Sequence, residues 1–191
     1  MNLIEVSKQA LHTAESHGFK IGGDNLSQNL FDATGEIHEA ISHYKTNGEQ
    51  AWAYNAAHWQ WIMSLDIAEI ESDSIEQYLM NTIEMELADV FIRLLTIGAK
   101  YDLDFANSSH STISVITVEH IESLYDFCGY CQKLIDNIIV RYAEGRVRYR
   151  LENITSVLNV IEAWFDKNGL DLEFFVALKM GYNVTREYKH I

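Results

Sequence analysis

Residues 74–100 read SIEQYLMNTIEMELADVFIRLLTIGAK, and the spacing of apolar positions in this run decides the fold. Placed at 100° steps, Ile83, Leu87, Val90, Phe91, Leu94, Leu95 and Gly98 form one broad apolar face, while Met85, Ile92 and Thr96 return on the far side. Glu86, Asp89 and Arg93 are left as a narrow polar stripe between them. A helix that is apolar nearly all round is a buried helix, so other helices must surround this one. Ser74, with Gln77 three residues on, fits a capping box and predicts a helix over about 74–100.

Outward from this segment the same period recurs over about 3–16, 26–46, 118–144, 153–167 and 172–189. Gly18, Gly22 with Gly23, Asn47 with Gly48, Gly145, and Asn168 with Gly169 separate the runs, and Asp24 or Asn25 is the cap expected for the second helix. Residues 49–72, with Trp52, Trp59 and Trp61, read as helical without definable bounds, and 107–112 as a polar linker. The expectation is an all-α, antiparallel bundle of six to seven helices in a single domain, 1–191. The stretch Glu84–Phe105 also matches Glu152–Phe174 in layout, each ending in DLDF or DLEF, and Gly129–Lys133 matches Gly35–Glu39. A degenerate tandem duplication with halves 1–106 and 113–191 would explain this; the second copy would lack the acids.

Composition agrees with such a bundle. The chain has 191 residues, 48% of them hydrophobic, enough for one sizeable core. Proline is absent, where average usage is about 5%, and helices benefit most from that. Fourteen basic residues face 28 acidic ones, a net charge of −14, which argues against a nucleic-acid partner because phosphate backbones are held by clustered Lys and Arg. The densest basic run, Arg141–Arg150, is only a local patch. No run reaches the roughly 18 apolar residues of a membrane span, and Met1–Ala10 lacks a signal-peptide pattern. The expectation is a soluble, cytoplasmic protein with no membrane partner. Cys128 and Cys131 form a CxxC that reads as a redox dithiol, as half a zinc site, or as two reduced thiols buried on a helix. With no βαβ setting and no further close ligands, the third reading is preferred.

The chemistry-bearing residues are two acid pairs. Glu36 and Glu39 stand three apart on the second helix, and Glu86 and Asp89 three apart on the long one, so each pair points one way. Such pairs ordinarily sit on a solvated face, but these flank apolar stripes, and buried carboxylates are costly unless paired or bound to a metal. Antiparallel packing would bring four carboxylates to one spot, a donor set that selects Mg²⁺ or Mn²⁺. His38 and His43 read as bystanders. Helical di-iron sites need Glu-x-x-His pairs, which these acids do not supply. Arg93, four residues after Asp89, is equally suited to pairing with that acid or to touching a phosphate.

The runs GEIHEAISHY (Gly35–Tyr44), ELADVFIRLL (Glu86–Leu95) and KMGYNVTREY (Lys179–Tyr188) together resemble the all-α nucleoside triphosphate pyrophosphohydrolases of the MazG-like type. The resemblance implies metal ligands Glu36, Glu39, Glu86 and Asp89, and phosphate contacts Lys179, Asn183 and Arg186. It implies Mg²⁺-dependent hydrolysis of a nucleoside triphosphate to the monophosphate and pyrophosphate, in a homodimer or higher homo-oligomer. Glu39, furthest from the apolar stripe, is the candidate general base. Relatives of this type carry an EExxE run and a shorter interval than the 46 residues between Glu39 and Glu86, so the Trp-rich segment reads as an insertion. Trp52, Trp59 and Trp61 are candidates to stack on a base, although clustered aromatics are more often core. The alternatives are a catalytically inactive helical binding or regulatory protein that keeps the fold, and a redox protein using the CxxC.

Overall fold

The computed structural model describes residues 1–47, 63, 82–105, 118–144 and 148–185. Among these residues there are six α-helices and no strand. They are α1 (Leu3–Ser16), α2 (Leu26–Asn47), α3 (Ile83–Lys100), α4 (Leu124–Ala143), α5 (Arg148–Lys167) and α6 (Leu172–Thr185). The architecture is the expected all-α bundle.

The centre is α3, which packs against α1, α2, α5 and α6, while α4 lies on α2 and α5. Its apolar face and its far side are both buried: Leu87, Val90, Leu94 and Leu95 on one, Met85 and Ile92 on the other. Each Leu or Phe buried in this way contributes about 1.5–3 kcal/mol, so α3 is held by its neighbours rather than by helix propensity. Aromatic pairs join α4 to α5 and α5 to α6, where Phe127 stacks on Trp164 at 4.4 Å and Phe165 meets Phe175 edge-on at 5.7 Å.

Local chemistry moves three of the expected boundaries. The long helix does not run unbroken from Ser74: Thr82 is extended (φ −120°, ψ 152°), and its hydroxyl accepts the Met85 N–H at 3.4 Å, so α3 starts at Ile83. Residues 74–81 lie outside the described residues. Similarly, α4 starts at Leu124 rather than near Val118, because Ser123 accepts the Asp126 N–H at 3.1 Å and donates to its carboxylate at 2.6 Å. At α5 the helix starts earlier than Asn153, at Arg148. The second helix is entered through a 3-10 turn at Gly23–Asn25.

The proposed internal match needs a different register. At the end of α3 the Leu103 N–H returns to the Gly98 carbonyl at 3.0 Å, and Asp102 is left-handed at φ 51°. After α5 the Leu170 N–H returns to the Phe165 carbonyl at 3.0 Å, and Gly169 is left-handed at φ 69°. DLDF is therefore a turn, whereas DLEF opens α6, with the Asp171 carboxylate accepting the Phe174 N–H at 3.3 Å. Aligning the two helix-end turns by these bonds pairs Lys100 with Lys167, two residues away from the DLDF/DLEF alignment. In that register Asn153 and Ser156 stand opposite Glu86 and Asp89.

Cys128 and Cys131 are free and buried on α4. Burial pushes the Cys128 thiol up to about 12 and raises Cys131 as well, so both are protonated at neutral pH. No helix among the described residues is long and apolar enough to cross a membrane.

Candidate metal centre

Two contacts give the direction in which α2 meets α3. Arg93 lies 2.6 Å from Glu36, and Glu86 lies 3.3 Å from His43. As numbers rise along one helix they fall along the other, which is antiparallel packing. The register follows from helix geometry, because seven residues make nearly two turns on each helix and keep both contacts on one seam.

That seam carries the acids inward. One oxygen each from Glu36, Glu86 and Asp89 lies within 4.8 Å of the other two. Glu36 and Glu86 are only 9% and 4% exposed, and the surrounding positions are apolar. Burial raises the Glu36 carboxyl above its ordinary value, and Asp89 adds to the effect while Arg93 opposes it. Burial pushes Glu86 up to about 8 despite the opposing pull of Lys179, so most of this carboxyl is protonated at pH 7. Glu39, grouped with these acids by its spacing, is exposed and stands outside the three-carboxylate cluster. One turn carries it round α2 toward solvent while Glu36 turns toward α3. It still acts at a distance, raising the Glu36 and Glu86 carboxyls.

Cations from α3 and α6 reach the same place. Lys179, 4% exposed, puts its ammonium 3.4 Å from Asp89 and 3.8 Å from Glu86. A buried ammonium without such partners would be strongly destabilising. Arg93 pairs with Glu36, not Asp89, by direct contact; burial is the largest single influence on its charge and opposes it, but Asp89 and Glu36 acting together, with Asp32, outweigh that and hold the guanidinium charged. Asn183 is half-buried one turn beyond Lys179 and borders the same region. Arg186, Trp52, Trp59 and Trp61 lie outside the described residues.

The histidine that spacing alone dismissed belongs here. His43 touches Glu86, and burial lowers its pKa, keeping the imidazole neutral near pH 7. The signal was present: His43 is seven residues after Glu36, hence on its face. His38 stays exposed, with Nδ1 2.8 Å from the Thr34 carbonyl.

Three carboxylates from two helices, without a thiolate, are a donor set that fits a hard divalent cation. Fold and site together define a class: an all-α bundle with a carboxylate cluster at its central helix. No family model, curated protein or solved structure matches the chain.

Proposed function

We propose that the protein is a Mg²⁺-dependent nucleoside triphosphate pyrophosphohydrolase, with Mn²⁺ able to replace Mg²⁺. The observation carrying this reading is the convergence of Glu36, Glu86 and Asp89 within 4.8 Å inside a largely apolar interior. Carboxylates gathered in such a place require positive charge beside them. The resemblance of the three sequence runs that supply Glu36, Glu86, Asp89 and Lys179 to MazG-like enzymes supports the nucleotide as substrate. A cytoplasmic setting and a homo-oligomeric state belong to the same proposal.

In the reaction a water oxygen attacks the α-phosphorus, the bond from that phosphorus to the α,β-bridging oxygen breaks, and pyrophosphate leaves with the electron pair. Glu36, Glu86 and Asp89 would hold the Mg²⁺, which would supply positive charge for the phosphate oxygens and lower the pKa of a bound water. Glu39, in contact with solvent, takes the proton of the attacking water. Arg93, Lys179, Asn183 and Arg186 bind phosphate oxygens and offset the charge that develops on them. Lys179 and Arg93 therefore turn from carboxylate partners into phosphate partners as the substrate enters.

Incubation with mixed triphosphates and Mg²⁺ tests the reading. Equimolar monophosphate and pyrophosphate are expected, and Glu39→Gln abolishes turnover while the nucleotide still binds. Absence of pyrophosphate with every common triphosphate overturns it. That result would favour a catalytically inactive helical binding or regulatory protein, a reading supported by the internal pairing of Glu36 with Arg93 and of Asp89 with Lys179.

A further inference from the structure

The His43 imidazole lies on the seam between α2 and α3, with Nε2 3.3 Å from the Oε1 atom of Glu86. We propose that His43 is a positioning residue for the divalent cation: its Nε2–H holds Oε1 of Glu86 and so sets the direction in which that carboxylate meets the ion. The proposal rests on the cation reading of the cluster and deepens it by naming what aims one of its three ligands.

Placement carries the argument. His43 stands seven residues, nearly two turns, beyond Glu36 and therefore faces α3. It is nonetheless not one of the groups whose ligand atoms lie within 4.8 Å of one another, which are Glu36, Glu86 and Asp89. Its contribution to a bound ion therefore passes through Glu86. The contact is largely closed to water, since the two side chains are 22% and 6% exposed, and a polar contact in such a place meets little competition from solvent.

Glu86 needs such a contact. A glutamate side chain has several rotatable bonds and swings its carboxylate widely unless something holds it. The neighbouring positions on α3, Met85, Leu87 and Ala88, are buried and apolar, and their side chains offer the carboxylate no hydrogen bond. Its ionic partners among the described residues divide its oxygens between them, His43 at Oε1 and Lys179 at 3.8 Å from Oε2. Lys179 also reaches Asp89 at 3.4 Å, and in the proposed reaction it turns to phosphate. His43 is then the partner that stays with Glu86.

Imidazole suits this task. An ionised carboxylate only accepts, so once a cation holds Glu86 ionised, Nε2 is the atom that carries the hydrogen. The ring, kept neutral near pH 7 chiefly by burial, donates without the full positive charge by which Lys179 and Arg93 oppose a metal ion. The turn of α2 that bears it is anchored as well, because Tyr44 meets Tyr125 of α4 edge-on at 5.3 Å. A group that aims a metal ligand has to be held in place itself.

Titration with Mn²⁺, read from the electron-paramagnetic-resonance signal of the free ion at neutral pH, compares the wild type with His43→Leu and His43→Gln. Neither substitution removes a full charge. His43→Leu, which deletes the N–H, should bind Mn²⁺ at least about tenfold more weakly. The glutamine amide puts an N–H near the Nε2 position, so His43→Gln should stay within about threefold of the wild type. His43→Asn, whose amide is too short to reach Oε1, replaces the Leu variant with the same expectation if that variant loses its helical content. Binding as tight as wild type in His43→Leu, or as weak in His43→Gln as in His43→Leu, overturns the positioning role and leaves the cation site standing. Absence of Mn²⁺ binding by the wild type overturns both.

Discussion

The Glu36 carboxylate and the Arg93 guanidinium lie 2.6 Å apart across the α2–α3 seam, at the edge of a cluster that also holds Glu86 and Asp89. The pair fixes the register of the two helices and, with Lys179, supplies a cation that offsets the acids among the described residues. Removing Arg93 leaves Glu36 without its direct partner. Arg93→Met should destabilise the protein by about 2 kcal/mol, read as a lower urea midpoint at unchanged slope. Adding Glu36→Gln should recover much of the loss, and additive losses would contradict a direct pair.

Stability should fall as pH rises. Glu86 is raised from an ordinary 4.5 to about 8 in the folded protein, so between those values the folded state binds more protons than the unfolded one. The contribution is fully present below pH 4.5 and is lost as pH climbs through 8, by up to about 1.4 kcal/mol per unit. Denaturation midpoints across this window should decline in the wild type and flatten in Glu86→Gln. Millimolar Mg²⁺ should also flatten the wild-type profile, since ligation favours the ionised carboxylate. Identical slopes in all three would remove Glu86 as the source.

The Cys128 and Cys131 thiols should be inert in the native protein. Both are buried and raised well above neutrality. A thiol-specific chromophoric reagent should label neither until denaturant opens the fold, and then both. Rapid native labelling would restore the redox reading.

Gly98 is required by close packing rather than by its backbone. A Cβ there would come within 2.3 Å of the Phe105 ring. Gly98→Ala should cost about 1–3 kcal/mol, and a double variant with Phe105→Leu should be less affected than the sum. A neutral single substitution would mean that the Phe105 turn moves freely.

Much of this was legible in the chain. The apolar wrap around Glu86, Asp89 and Arg93 identified α3 as the buried centre, and an i, i+3 spacing was enough to bring Glu86 and Asp89 to one face. The same spacing did not make Glu39 a fourth member of the cluster; it stands on the exposed side of α2, where it is the candidate base rather than a ligand. Three residues are 300° of turn, and the remaining 60° carries its side chain from the seam into solvent. His43 was missed although seven residues return it almost to the Glu36 direction, because a lone helical histidine reads as a bystander until its face is compared with that of Glu36. The caps at Thr82 and Ser123 interrupt apolar runs that periodicity alone would continue, since a single hydroxyl bound to a backbone N–H ends a helix without disturbing its pattern. The buried position of Lys179 depends on how α6 docks on α3, and no local pattern encodes that.

The central claim is that these carboxylates hold a divalent cation, and a titration of Mn²⁺ followed by the loss of its free electron-paramagnetic-resonance signal tests it most directly. The account predicts saturable binding at neutral pH, competition by millimolar Mg²⁺, and at least about a tenfold weaker site in Asp89→Asn, in a variant that keeps its helical content. Mn²⁺ that remains free at millimolar protein, or a site equally strong in Asp89→Asn, would contradict it.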